Sequence, residues 1–533
     1  MGKKKTIAVF CLILILQCFF ILLWGTQKVR LNVDEMFTME GVKQGGRGKW
    51  YWDIAEDFYG NEYTYQKFLD HMTVTAEDLL LYQGMSEVYD ALMHRTFYYS
   101  LLNLVSTMNP NHIPWTVGVG LNLLLFIFSQ VILYLIARRT LGEAGALGTM
   151  VIYGFSAGAI STVLYVRCYM LLTMYVLLLF FLYSKFMDTE RGWKKLLYIV
   201  SLGFLAFLCY RTHQFGTILF GIITALFILY MIKSRNKNAL IWLAAGYGIP
   251  FLLGFKIIFP KLQNFFAGGI ATLFYSIVHN MDAKQLTLYL VKVLCNMAQH
   301  LFVRVGILLL LVAVMILLYG RILYVHRKNA GQCKDAINIK WPLPVISVIT
   351  VAAYYGILAM GSAVAWKYLS PVYPLIVLVF VSIMVWISRT MGLPFRTKAV
   401  IVAAGMALML ASYDTQHISE LFAEEAGMRD ILEDKYHGLN GILIHHDVQG
   451  DGEVYLYEAA ALWPEESNVL VLQHHMIMEK GLFECRDDDR ILLWLTADFD
   501  RDESISLFKE CTDYRNFELV LNTDHVWVYE CWK

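Results

Sequence analysis

Charge is what this sequence has least of. Only 17% of its 533 residues are Asp, Glu, Lys or Arg, against 58% hydrophobic, which excludes an ordinary soluble globular chain. Basic and acidic residues balance, 44 against 44, so no global field draws the chain to nucleic acid. The nine cysteines show no metal-type spacing. Cys11, Cys18, Cys168, Cys209 and Cys295 lie in or beside apolar runs and read as small packing residues. Cys485, Cys511 and Cys531 fall near the end of the chain, where spacing cannot choose a disulfide. No small-residue cleavage site follows Trp24, so Lys3-Lys4-Lys5 and the apolar run after it read as an uncleaved first span. Internal repeats and low-complexity segments are absent, and the apolar runs carry almost no charge at mid-depth. Both absences count against a transporter or flippase, which favours midplane charges and inverted repeats.

What the sequence has instead is apolar runs about 20 residues long, the length that carries a helix across a bilayer core. They fall at 6–25, 115–136, 143–163, 168–186, 194–211, 213–232, 239–259, 304–325, 343–363, 371–388 and 398–413. Basic residues concentrate in alternate loops: Arg138 and Arg139; Lys185, Arg191, Lys194 and Lys195; Lys233, Arg235 and Lys237; Arg321, Arg327, Lys328 and Lys334; Arg389, Arg396 and Lys398. That bias places these loops and the N-terminus on the inner, cytoplasmic side of the cell membrane. Leu92 to Met108 is apolar as well, but a crossing there would invert every later loop, so it is expected as a helix on the outer surface. Segment 260–303 carries Lys261, Lys284 and Lys292, with Arg304 next to it, and suits either interfacial helices or an extra pair of spans.

The expected fold is therefore mainly α: a polytopic helical membrane bundle of about 11 spans, or about 13 with that pair, and external interfacial helices. Residues 1–413 form the membrane domain, with 26–114 as its first external loop and an amphipathic stretch from Ala76 to Tyr89. From 414 to 533 the composition turns charged and mixed. Strands are expected at Gly441–His445, Asn468–Leu472, Arg490–Leu495, Phe517–Leu521 and His525–Tyr529. Helices at Ser419–Lys435, Glu453–Leu462 and Ser504–Cys511 complete a small α/β domain, which this topology places outside.

With this topology the unusual polar residues collect at the outer mouth of the bundle. Asp34 and Glu35 follow the first span; His94 and Arg95 open the surface helix that carries Tyr98 and Tyr99. Arg167 and Tyr169 share one outer turn, Arg211 and His213 another, and Lys367 with Tyr368 precedes Pro371, Tyr373 and Pro374 at a third. Each has a plainer reading. Asp34 suits a helix cap and Glu35 a first turn. Arg167 and Lys367 suit snorkelling to lipid headgroups, His213 a hydrogen-bonded packing role, and Arg95 an ion pair with Glu87 or Asp90. Tyr169 and Tyr373 suit an interfacial belt. His445-His446-Asp447 has the composition of a metal cluster, but neighbouring strand residues point to opposite faces, so no metal and no other cofactor is indicated.

Taken together, these pieces resemble the C-type (GT-C) membrane glycosyltransferases, the class of the protein O-mannosyltransferases and lipid A aminoarabinose transferases. Val33-Asp34-Glu35 is similar to the acidic pair of that class's first external loop, and His94-Arg95-Thr96-Phe97-Tyr98-Tyr99 resembles a His-Pro-Pro-Leu-Tyr-Tyr motif with both prolines replaced. Val166-Arg167-Cys168-Tyr169 resembles an Arg-Met-Tyr turn, and Lys367-Tyr368 an Arg-Tyr turn. The resemblance covers roughly the first 375 residues; the tail matches no motif. It implies transfer of a sugar from a polyprenyl-phosphate donor to a glycan, lipid or protein hydroxyl outside the membrane, with Asp34 as base. Glu35 would orient Asp34 or bind sugar hydroxyls. Arg167 and Lys367, then Arg95 and His213, would hold the donor phosphate, and His94, Tyr98, Tyr99, Tyr169 and Tyr368 would contact substrate or lipid. The chemistry agrees: the acceptor hydroxyl must lose a proton as it attacks, whereas phosphate leaves without an acid and needs only cations. One base with inversion suffices. The alternative to an enzyme is an inactive scaffold presenting the tail.

Overall fold

The computed structural model describes residues 3–44, 59–75, 78, 97–110, 114–247, 283–302, 342–360, 365–390, 413, 415–445, 456, 458–478, 488–496, 500–523 and 526–533. The chain forms two compact units that do not follow its order. One comprises Met1–Trp24 and Asn122–Ser419, the other Gly25–Leu121 and Glu420–Lys533.

The first unit is helical. Among the described residues seven helices are long and apolar enough to cross a membrane, or up to eight if one bent pair counts as a span. The seven are Lys4–Gly25, Trp115–Leu141, Tyr169–Asp188, Gly192–Thr212, Gln214–Lys233, Pro342–Ala359 and Trp366–Arg389. Ile15, Phe19, Phe204 and Phe207 stand more than half exposed on them, a cost in water that hydrocarbon removes. The runs expected at 304–325 and 398–413 lie outside the described residues, apart from Tyr413, and 239–259 is described only as far as 247. Within 260–303 the described part is a helix, Ala283–Phe302.

The run expected as one span at 143–163 is broken instead. Glu143–Gly154 and Ala157–Leu164 meet at 58°. The break has local causes. Ser156 adopts an extended backbone and its Oγ caps the second helix by accepting Ala159 N at 3.2 Å. The Met150 carbonyl near the kink accepts from the buried amides of Gln17 at 2.8 Å and Gln130 at 3.4 Å. A Cβ on Gly154 would lie 2.2 Å from Gln130 Nε2 and 2.3 Å from Gln17 Nε2, so glycine admits both amides. Polar groups freed inside an apolar bundle must find such partners.

The second unit contains a six-stranded sheet: β1 (Asn61–Tyr63), β2 (Gly441–His445), β3 (Val469–Gln473), β4 (Arg490–Thr496), β5 (Asn516–Asn522) and β6 (Val526–Trp532), in the order β1-β3-β2-β4-β6-β5. β2 runs parallel to both β3 and β4, and the remaining pairs are antiparallel. β2 is buried throughout and β4 everywhere but Arg490, which is why both read as unbroken apolar runs. β5 is mostly exposed, as suits an edge. β1 comes from the first loop and pairs Asn61–Tyr63 with Val471–Val469; nothing in its three residues announces a strand. The helices Ala423–Tyr436 and Arg501–Cys511 accompany the sheet. The Cys511 and Cys531 thiols are free, and Cys485 lies outside the described residues.

Gly441 opens β2 where a Cβ would come within 2.1 Å of the buried Trp494 ring. Gly441→Val is expected to destabilise this unit by about 1–3 kcal/mol, because an indole packed at native density has no room to yield. Thermal unfolding of the detergent-solubilised protein reads this directly.

The helix expected on the outer surface from Leu92 to Met108 is described as Phe97–Thr107. Its tyrosines face inward: Tyr98 and Tyr99 are buried with Leu102, Asn103 and Ser106, and Asn103 donates to Val42 O at 3.1 Å and Asp78 O at 2.9 Å. Leu104 and Met108 are exposed. The stretch Ala76–Tyr89 lies outside the described residues except Asp78.

Candidate functional site

The acidic pair opens the helix Val33–Gln44 in the second unit. The cap is Asn32. Its Oδ1 accepts Asp34 N at 2.9 Å, its N–H donates to Glu35 Oε2 at 2.8 Å, and its carbonyl accepts Glu35 N at 2.8 Å and Met36 N at 3.0 Å. This is a reciprocal capping box, with the carboxylate three residues after the cap reaching back to the cap's own N–H. Glu35 is the member that reaches back, and it is sealed: 0% exposed, with Lys28 Nζ 2.7 Å from each of its oxygens. Lys28 is buried too. Asp34, one residue earlier in the first turn, stays half-buried at the end of the helix where the backbone dipole favours negative charge. The adjacent carboxylates therefore separate. Glu35 holds the turn, which leaves it no exposed oxygen for sugar hydroxyls, and Asp34 is the less buried residue of the pair.

In the first unit a second group of side chains assembles around the turn after the broken helix. Buried Asn122 donates to Val163 O at 3.2 Å and Tyr165 O at 2.8 Å, pinning that turn. Tyr165 and Tyr169 stack at 6.0 Å, Tyr165 meets Trp366 at 5.4 Å, and Tyr169 meets Tyr368 at 5.9 Å and His213 at 5.8 Å. Phe215 packs on Tyr368 at 5.1 Å, and His300 stacks on Trp366 at 5.5 Å. Lys367 enters this aromatic box. Its Nζ lies 5.8 Å from the Tyr165 ring centre and 5.5 Å from that of Tyr368, and donates to Tyr165 Oη at 3.4 Å. The short helix that carries Lys367, Trp366–Leu369, is fixed from the helix Pro342–Met360. There Tyr354 Oη donates to Tyr368 O at 2.9 Å and Tyr355 Oη to Leu369 O at 3.4 Å. A half-buried ammonium flanked by aromatic faces is held in place by cation–π attraction.

The sequence-derived candidates divide accordingly. Tyr169, His213, Lys367 and Tyr368 come together. Arg167 lies half-buried in the same turn, its N–H donating to Tyr165 O at 2.7 Å. His213 caps the helix Gln214–Lys233, its Nδ1 accepting Phe215 N at 3.1 Å, so this ring is a structural cap in addition to any contact with ligand. Asp34 and Glu35 belong to the other unit with Tyr98 and Tyr99; His94 and Arg95 lie outside the described residues. Sequence reasoning missed Asn32, Lys28, Tyr165, Trp366, Phe215 and His300. Asn32 was within reach, since Asn followed by Glu three residues later is a capping-box pattern. The aromatics carried no local signal. Among the described residues no group of three or more His, Cys, Asp and Glu side chains is placed to hold a metal ion. His445 is buried against Tyr59, whose Oη lies 3.3 Å from Nδ1, while His446 and Asp447 lie outside the described residues.

No protein-family model and no curated protein matches the sequence. Two solved structures are similar to it along nearly the whole chain. The structure of ArnT from Cupriavidus metallidurans bound to undecaprenyl phosphate matches at 12% identity, covering 99% of this chain and 98% of that one, with a TM-score of 0.47. The apo state of the same protein matches at 11% identity with the same coverage and a TM-score of 0.48.

Proposed function

We propose that this chain is an integral-membrane glycosyltransferase that moves a sugar from a polyprenyl-phosphate donor to a hydroxyl of an envelope acceptor on the outer face of the membrane. Asp34 is the general base. It takes the acceptor's proton as the oxygen attacks the anomeric carbon, with inversion, and the lipid phosphate departs as a stable anion. Lys367, with Arg167, holds that phosphate. Tyr165, Tyr169, Trp366 and Tyr368 offer apolar faces to the sugar or the isoprenoid. About 11 spans, an internal N-terminus and an external tail complete the reading. The observation that carries it is the separation of the acidic pair: Glu35 is fully buried in the capping box and against Lys28, while Asp34, in the same turn, is only half-buried.

Reconstitution in bilayers containing polyprenyl-phosphate sugars tests the reading through release of free polyprenyl phosphate. Lys367→Gln is expected to raise the donor KM by about 10- to 100-fold, the worth of a hydrogen bond to a charged group. A wild-type protein that releases lipid phosphate from no such donor, with a cell-envelope extract present as acceptor, overturns the proposal.

A further inference from the structure

The five residues Lys28–Asn32, which lead into the first turn of Val33–Gln44, have no regular secondary structure of their own. Beyond the Lys28–Glu35 pair and the bonds within the cap, they are held by residues nearly 400 positions later in the chain, inside the same compact unit. Val29 N donates to Leu421 O at 2.9 Å. The Arg30 guanidinium forks onto Glu425, Nε to Oε2 at 2.5 Å and Nη2 to Oε1 at 2.7 Å, lies 3.5 Å from Glu458, and sits 3.7 Å over the Phe422 ring. The Arg30 side chain is only 6% exposed, and its Nη1 also donates to Leu31 O at 3.2 Å. Asn32 Nδ2 donates to Glu420 Oε2 at 2.8 Å.

Two features make this more than a docking contact. First, an Asn amide has one donor end and one acceptor end, so seating Nδ2 on Glu420 turns Oδ1 toward Asp34 N, which it caps at 2.9 Å. Second, Glu420 and Phe422 both adopt left-handed backbone, at φ 65° and 54°. That conformation is uncommon for residues other than glycine, and here it recurs within three positions at the residues that touch the motif.

We propose that Arg30 is a positioning residue for Asp34. Through its fork on Glu425, and together with the Glu420–Asn32 contact, it fixes the direction in which the first helical turn presents the carboxylate. The segment Glu420–Glu425 is then a working part of the catalytic apparatus in addition to any role of the tail in recognising an acceptor. This inference rests on the reading of Asp34 as the base.

The test uses the full-length protein in bilayers with a polyprenyl-phosphate sugar, comparing Arg30→Lys, Glu420→Ala and Asp34→Asn with wild type for kcat, donor KM and thermal unfolding. Arg30→Lys keeps the charge but loses the planar fork; Glu420→Ala removes the acceptor that orients the Asn32 amide. Both are expected to lower kcat by about 10- to 100-fold, the cost of misplacing a reacting group by a fraction of an ångström to an ångström, with donor KM and unfolding temperature unchanged. Wild-type kcat in both variants, with Asp34→Asn inactive, overturns the positioning role and leaves the base assignment standing. If Arg30→Lys loses activity only in proportion to lost folded protein, and Glu420→Ala has wild-type kcat, the contact is structural and the proposal fails. Full activity in Asp34→Asn overturns the base assignment and this inference with it.

Discussion

Asp34→Asn is expected to lower sugar transfer by about 10²- to 10⁴-fold, the usual worth of a positioned general base. Asparagine keeps the volume and the backbone N–H that Asn32 caps at 2.9 Å, so the first turn should survive and donor affinity should stay at the wild-type level. The loss therefore falls on kcat. Radiolabelled donor binding alongside turnover separates the two, and circular dichroism checks the fold. A carboxylate that merely neutralised the helix end would leave kcat within about twofold, because a helix-terminal charge is worth only about 0.3–1 kcal/mol and acts on stability. Equal turnover in wild type and variant would move the base to another residue.

The second large effect concerns Glu35 and is expected in stability before activity. Lys28 and Glu35 are 2% and 0% exposed as side chains and lie 2.7 Å apart. Lys28→Met strands a buried carboxylate and is expected to cost about 3–5 kcal/mol. That is a large share of the roughly 5–15 kcal/mol that holds a typical domain folded. The double variant Lys28→Met/Glu35→Gln should recover much of this loss. It removes both charges and keeps an amide oxygen for the Asn32 N–H, and buried pairs replaced together are often nearly neutral. Thermal unfolding in detergent, with limited proteolysis of the 25–44 segment as a local probe, measures both. The opposite pattern decides against this role: a Glu35→Gln protein that unfolds like wild type yet transfers no sugar would make Glu35 a substrate ligand.

The acidic pair also marks a limit of what local sequence shows. Composition alone suits Asp34 to a cap and Glu35 to a first turn. The cap is Asn32, and the pattern that says so, Asn followed by Glu three residues later, was in the sequence. Aromatic residues near a span suit an interface, which favours an outer surface for Tyr98 and Tyr99. In the structure they turn into their own unit, against a helix whose pairing with Phe97–Thr107 no local period encodes. The stretch 143–163 reads as one span because its composition is evenly apolar. The bend lies in Ser156, Gly154 and two distant glutamines, which hydropathy does not weigh.

By itself the sequence determined the elements whose signals are local. Span-length apolar runs mark seven helices to within about five residues at either end, and the five tail strands fall on the runs that predicted them, β2 at identical bounds. Helical length and strand alternation are written in neighbouring residues, so they can be read there. Tertiary structure alone decided which residues meet. β1 joined the tail's sheet, the aromatic box closed around Lys367, and Arg30 found Glu425 at a separation of 395 residues. Such pairings depend on closing long loops and on the packing of whole faces. The cost of closing a loop grows only slowly with its length, so no feature of the intervening sequence announces the partner.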